Sequence, residues 1–367
     1  MTASYSVGDA IAALDSVFPL ATQDAWDNSG LLVGDPAAPL RGVLFCVDIT
    51  PAAVREAVSR GCNLVVSHHP IMFRGLKRLT GSTPEQRLVA EAIRAGVALA
   101  AFHTPADKAL RGTSGTVGRL LGLRGMRVLV PEADALSKVV VFVPAADAEA
   151  VVEAMTAAGA GHIGNYSHCA WSVEGEGQFR AEEGANPYVG AVGRVHREAE
   201  RRVEAICPRR LLGGVVSAAV GAHPYEEPAI DIVPLSNPLG NLGYGVVGDL
   251  PEAVDFGEFM ATLKARLGCA SVRVAGAARR VARVAICTGS GSEFVSAAAG
   301  AGADVYVTAD VKYHQMADAA DKIAVADVGH YESEAVTVQI FRDILTKKLA
   351  NFAHCEVCSE TNPIKYY

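Results

Sequence analysis

Five side chains have the types and spacing to hold a pair of metal ions: His68, His69, Asp107, His330 and Glu334. Each lies at or just beyond the C-terminal end of a predicted strand, the edge of an open α/β sheet where ligands bind. His68 and His69 are adjacent, and neighbours in an extended chain point to opposite sides. Two such imidazoles suit two ions lying side by side better than a single ion. His330 and Glu334 are four residues apart at a predicted helix start, hence one turn apart on one face. Three imidazoles and two carboxylates form a nitrogen–oxygen donor set suited to zinc, iron or manganese. Five protein ligands are too few to saturate two ions, and open positions for water mark a catalytic site rather than a structural one. Two divalent ions about 3.5–4 Å apart can activate a bridging water and clamp a transition state.

Other residues admit both a chemical and a structural role. His103 is either a further ligand or a group that orients one, and the second reading is preferred. Lys312, Tyr313 and His314 follow the predicted strand DVYVT on the same sheet edge. They serve there to steady a substrate phosphate or move a proton, or simply to cap and pack a helix. His162, His168, His196 and His354 are read as ordinary hydrogen-bonded residues. Thr288–Ser292 (TGSGS) matches neither common glycine-rich nucleotide fingerprint and is read as a tight turn. Cys355-x-x-Cys358 has no partner pair, which disfavours a zinc or redox site. His223–Pro228 (HPYEEP) is read as a rigid loop bounded by prolines, with a second site as the alternative.

The elements that must position these residues follow from periodicity. Ser6 with Asp9 resembles a capping box, and Val7, Ala10, Ile11, Leu14, Val17 and Phe18 then share one helix face. From Arg41 strands and helices alternate. GVLFCVDIT is a buried strand, Thr50-Pro51 opens a helix, and NLVVS is a strand that stops at His68-His69-Pro70. PEQRLVAEAIRAG is a helix, and VALAAF a strand ending at His103. Strand–helix–strand order predicts a parallel sheet. Between Ser137 and Leu235 the order becomes βαββαβ, the ferredoxin-like arrangement. Asn237–Asp249, rich in glycine, is read as a return linker. Alternating α/β structure then resumes and ends in a helix from His330 to Leu349. The predicted fold is α/β: two α/β halves, residues 1–130 and 237–367, build a metal-binding core interrupted by a ferredoxin-like insert at residues 137–235.

Composition bounds the function. The 367 residues make two or three domains at roughly 100–200 residues each. The chain is 50% hydrophobic and 20% charged, which excludes global disorder. A formal net charge of −7 disfavours a dedicated nucleic-acid binder. No stretch approaches the roughly 18 apolar residues that span a bilayer, and the start lacks the pattern of a secretory signal. The eight cysteines are scattered, several within apolar segments. A reducing, cytoplasmic setting is expected.

Four motifs together resemble one family: SHHP (Ser67–Pro70), HTPAD (His103–Asp107), ADVKYHQ (Ala309–Gln315) and GHYESE (Gly329–Glu334). WDNSGLLVGD (Trp26–Asp35) and TNPIKYY (Thr361–Tyr367) are similar too. The chain resembles the GTP cyclohydrolase type 2 homologues, also called Nif-three-like dinuclear metal-centre proteins. GHIGNYSHC (Gly161–Cys169) and AHPYEEP (Ala222–Pro228) resemble the CutA-like insert of the longer members. The resemblance implies a two-metal site on the same His68, His69, Asp107, His330 and Glu334, and a ring-shaped homohexamer. Pro105-Ala106 depart from the family's usual Asn and apolar residue. The expected function is hydrolysis of a small nucleotide-like substrate through a metal-activated water. The alternative is a non-enzymatic metal-binding regulator or scaffold whose insert senses a ligand.

Overall fold

The computed structural model describes residues 5–352, 354–359 and 362–366. Thr361 and Tyr367 of the C-terminal motif lie outside the described residues. The chain divides into two compact units, Met1–Pro131 with Gly240–Tyr367, and Glu132–Leu239.

The larger unit contains two sheets. In the first, the strand order is Gly30–Val33, Ala98–Ala101, Leu64–Ser67, Val43–Cys46, Cys355–Val357. All neighbours are parallel except the Gly30–Val33 edge. Val43–Cys46, Leu64–Ser67 and Ala98–Ala101 are buried along their whole length. That is why they read as continuous apolar runs rather than alternating ones. Val43, Phe45, Leu64 and Val66 face Leu14, Phe18, Phe341 and Leu345. Leu44, Val65 and Leu99 face Val54, Ala57 and Leu88 on the other side. Local chemistry sets the helix starts. Ser6 and Asp9 close the capping box, and Thr50 and Thr83 cap helices with proline at the first position.

The second sheet runs Arg273–Ala275, Ala324–Asp327, Val305–Ala309, Arg280–Ser290, Gly243–Asp255, Arg124–Pro131. Its last three strands in chain order, Arg280–Ser290, Val305–Ala309 and Ala324–Asp327, run parallel. Here the structure corrects the linker expected over Asn237–Asp249. From Gly243 onward that segment is a strand hydrogen-bonded on both sides, to Arg280–Ser290 and Arg124–Pro131. Its glycines serve close approach instead of turns. A Cβ on Gly245 would sit 2.7 Å from the Ile286 carbonyl oxygen, and one on Gly248 2.8 Å from Met126. The predicted final helix is also two pieces, His330–Glu334 and Val336–Lys348.

The smaller unit contains, in order, strand Leu136–Pro144, helix Ala148–Ala157, strands Ala170–Arg180 and Val195–Pro208, helix Leu212–Ala222 and strand Ile230–Leu235. The sheet is antiparallel, in the order Ala170–Arg180, Val195–Pro208, Leu136–Pro144, Ile230–Leu235. Val139, Val141 and Val203 pack against Val151, Met155 and Val215 of the two helices. Among the described residues, no helix is long and apolar enough to cross a membrane.

Candidate metal centre

The larger unit carries the five predicted residues to one place. Strand Leu64–Ser67 ends where His68 N–H and His69 N–H continue its backbone pairing, to the carbonyls of Cys46 and Val47. The Ser67 hydroxyl donates to the His69 carbonyl at 2.6 Å and fixes the bend that follows. Asp107 sits on the short helix Thr104–Lys108, just beyond strand Ala98–Ala101. His330 and Glu334 bracket the short helix after strand Ala324–Asp327. Ser333, between them, donates to the His330 carbonyl at 2.7 Å and accepts from the Gly289 amide at 2.9 Å. That ties the helix to the end of strand Arg280–Ser290, two strands away in the sheet.

Glu334 is the centre of the arrangement. Its Oε2 lies 3.1 Å from His69 Nε2 and 3.0 Å from His330 Nε2. Its Oε1 lies 3.6 Å from His68 Nε2, which is itself 3.4 Å from Asp107 Oδ1. The ligating atoms of His68, Asp107 and Glu334 all fall within 4.8 Å of one another. The same holds for His69, His330 and Glu334, and for His68, His69 and His103. One carboxylate thus serves two donor groups, one oxygen each. Gly289, at a φ of +65°, leaves the space that the Glu334 carboxylate fills, since a Cβ there would collide with Oε1.

Every imidazole is held from behind. His68 Nδ1 donates to the Phe102 carbonyl at 3.1 Å, which leaves Nε2 as the unprotonated nitrogen of the neutral ring. His69 Nδ1 meets Asp48 at 2.8 Å, His330 Nδ1 meets Asp310 at 2.6 Å, and His103 Nδ1 meets Asp27 at 3.0 Å. Asp310 adopts a φ of +55°, a left-handed conformation that Asp tolerates better than most residues. Thr113 donates to Asp107 at 2.9 Å. Orienting partners behind ligand histidines are typical of metal sites.

The donor set fits a cation on a second ground. His68 is fully buried, yet its Nε2 has no hydrogen-bond partner, with Asp107 and Glu334 carboxylate oxygens at 3.4 and 3.6 Å. A buried polar atom left unsatisfied costs free energy, and a cation held between that nitrogen and the two carboxylates would remove the cost. The titration behaviour agrees. Burial lowers the His69 pKa, but the carboxylates of Asp48 and Glu334 outweigh it and hold it at about 10. The Glu334 carboxylate beside His330 holds that imidazole at about 9 against the effect of burial. Burial pushes the Glu334 carboxyl up, and the surrounding imidazoles more than reverse it, to well below the usual range. Without a metal, protons supply the positive charge that these carboxylates demand.

The cluster opens into a cavity of about 530 Å³. Its aromatic wall includes Trp26, Phe73, Tyr244 and Phe294, and among the described residues no Lys or Arg lines it. Trp26 and Phe73 both pack edge-on against His103, at 5.5 and 5.8 Å between ring centroids. Tyr244 stacks on Phe294 at 5.5 Å.

His103 therefore joins the site, its Nε2 4.0 Å from Asp107 Oδ2. Lys312 and His314 do not. Both are exposed at the start of helix Tyr313–Ala319 and line no part of the cavity. The Lys312 amide instead donates to Gln315 at the helix start. Thr288 and Ser290 end a strand and line the cavity, a role that reading TGSGS as a turn did not anticipate. Cys355 and Cys358 are buried and not joined in a disulfide, and the Cys358 thiol donates to Glu56 at 3.4 Å. Asp27, Asp48 and Asp310 were not singled out from the sequence. The available signal was their position, each within a few residues of a strand end that carries or faces a ligand.

A family model described as Duf34/NIF3 (NGG1p interacting factor 3) matches residues 5–363. A Mycobacterium leprae protein named GTP cyclohydrolase 1 type 2 homolog is 40% identical over 98% of this chain and 95% of its own length. A Mycobacterium tuberculosis protein of the same name is 42% identical over 90% of this chain and 89% of its own. The crystal structure of a Bacillus cereus protein related to NIF3 superposes with a TM-score of 0.82, at 35% identity and full coverage of both chains.

Proposed function

The chain belongs to the Duf34/NIF3 family, and we propose that it is a metal-dependent hydrolase with a dinuclear centre, acting in the cytoplasm on a small nucleotide-like substrate. The single observation that carries this reading is the divided Glu334 carboxylate, whose two oxygens face different histidines at 3.0–3.6 Å. His68, Asp107 and Glu334 Oε1 would hold one divalent ion, and His69, His330 and Glu334 Oε2 the other. Zinc, iron and manganese all suit this donor set. Bound there, such ions supply Lewis acidity, polarising a substrate oxygen and making water nucleophilic near neutral pH.

The chain's own residues do the rest. Asp48, Asp310 and the Phe102 carbonyl fix the rings of His69, His330 and His68, so the Nε2 atoms stay aimed at the centre. His103 Nε2, backed by Asp27 on Nδ1, is placed at the cavity wall to take up or deliver a proton. The Tyr244 phenol donates to Asp24 at 2.5 Å, and burial and that contact keep it protonated. The aromatic wall suits a planar ring by stacking. The cavity's carboxylates Asp48, Asp107, Glu293 and Glu334 balance the charge of two divalent ions. The substrate is accordingly gripped through its ring more than through a polyphosphate. Assembly into a homohexamer belongs to the same reading.

The test is elemental analysis with a turnover panel of nucleotides, nucleosides and phosphoesters. Two ions per chain, and turnover that Glu334→Ala abolishes, are expected. Turnover equal in the two proteins, or none in either, overturns the hydrolase reading.

A further inference from the structure

The smaller unit holds a second cavity, of about 550 Å³, remote in sequence from every metal-site residue. It is built on the HPYEEP loop. His223, 8% exposed, donates from Nε2 to the Phe142 carbonyl at 2.9 Å, and its Nδ1 accepts from the Tyr225 amide at 3.0 Å. Both ring nitrogens are spent on backbone groups, one in the loop and one on strand Leu136–Pro144, so His223 is a structural pin. Its purpose is to fix Tyr225. The Tyr225 ring packs against His223, Phe179 and Tyr188 at centroid distances of 5.0, 5.8 and 6.2 Å. The phenol donates to Glu200 at 3.0 Å. The Glu226 carboxylate accepts from the Asn186 amide at 3.0 Å and ties the loop to the hairpin opposite.

Charge around this cavity is one-sided. Glu200, Glu226 and Glu227 line it, and none of them forms an ion pair among the described residues. The single cation in the lining, Arg180, is already engaged by Glu182 at 2.6 and 2.9 Å. Gly177, on the neighbouring strand, makes room for Glu200: a side chain there would collide with its carboxylate. Aromatic faces with uncompensated carboxylates are the chemistry that recognises an organic cation. The ring quadrupole attracts the positive charge, and a carboxylate adds a direct Coulomb partner.

We propose that this cavity binds an alkylammonium group, held against the rings of Tyr225 and Phe179 with Glu200 as its counter-ion. The group belongs either to a free small amine or to a methylated lysine of a peptide, and the experiment separates the two.

Full-length protein is titrated calorimetrically with choline, with the uncharged alcohol in which carbon replaces the choline nitrogen, with an acetylated peptide bearing one trimethyllysine, and with calcium. Choline or the peptide binds at least about tenfold more tightly than the uncharged alcohol, and the tighter of the two identifies the source. Glu200→Gln and Tyr225→Leu each weaken binding about tenfold, and the exposed Glu226→Gln weakens it less. Unchanged melting curves and metal content show that these variants remain folded. The proposal is overturned by equal affinity for the uncharged alcohol, by variants that bind as wild type does, or by calcium displacing choline. Absence of heat from both cationic probes up to about 10 mM overturns it as well.

Discussion

Glu334 and His68 face each other at 3.6 Å, both buried, with a carboxylate oxygen on one side and the imidazole Nε2 on the other. Because the second Glu334 oxygen serves His69 and His330, this carboxylate and not any imidazole should govern both metal positions. Glu334→Gln is expected to lose both ions, whereas Asp107→Asn should lose chiefly the one shared with His68. Elemental analysis after dialysis gives the two stoichiometries. If both variants retain the wild-type count, the bridging role is wrong.

Metal loading should release protons. His69 and His330 titrate at about 10 and about 9 in the metal-free protein, so both are charged at neutral pH and must deprotonate to ligate. Calorimetric titrations in two buffers of different ionisation enthalpy measure that release. The stability of the metal-free protein follows from the same shifts. Folded pKa values above the unfolded imidazole value of about 6.5 give stabilisation that is complete below pH 6.5. It is lost as pH rises through 9 to 10. The metal-free melting temperature should therefore fall between about pH 7 and 10, and a rise over that range would contradict the assignment.

Much of this site was legible before any coordinate. The five clustered residues could be named because strand ends and a four-residue helical spacing are local features, written in short windows of sequence. The carboxylates behind the rings were harder. Asp310 reaches His330 across 20 residues and Asp27 reaches His103 across 76, and no spacing rule links such pairs. Gly243–Asp255 failed for a related reason. Its glycines look like turn residues until the strands they must admit, around Ile286 and Met126, are in place. Lys312 and His314 were on the correct sheet edge, but side-chain direction depends on how their helix starts, and it starts toward solvent.

The orienting carboxylates make a separable prediction. Asp48→Asn and Asp310→Asn keep the ring contacts in shape but remove the charge behind His69 and His330. Loss of such a partner typically costs 10–100-fold in metal affinity. Competition with a chelator indicator should show a loss of about that size in each variant, with unchanged secondary structure. Affinity equal to wild type would reduce both residues to surface ion pairs.

Gly289 tests the site from its floor. Its φ of +65° suits glycine, and a methyl group there would press on Glu334 Oε1. Gly289→Ala should lower stability by about 1–3 kcal/mol through backbone strain. It should also lower metal occupancy by displacing the carboxylate. An alanine on the open Gly122, also at positive φ but with nothing nearby, carries the strain without the collision. Metal loss in Gly289→Ala but not in Gly122→Ala separates the two effects.

The aromatic wall makes the last prediction, about substrate charge. Trp26 is 57% exposed and Phe73 48% exposed, and both lie at the cavity wall beside His103. Large exposed aromatics on a ligand cavity imply stacking, which contributes about 1–3 kcal/mol per base in comparable sites. The cavity offers no lysine or arginine among the described residues to neutralise a triphosphate. Its four carboxylates would offset the charge of the two divalent ions proposed above. Guanosine should then bind the metal-loaded protein at least as tightly as GTP. Trp26 fluorescence reports it, in a Trp171→Phe background so that a single indole remains. Trp26→Leu, read by calorimetry, should weaken guanosine about tenfold or more. GTP binding far more tightly than guanosine, with affinity falling steeply as salt rises, would mean that a phosphate subsite exists and that charge outweighs stacking here.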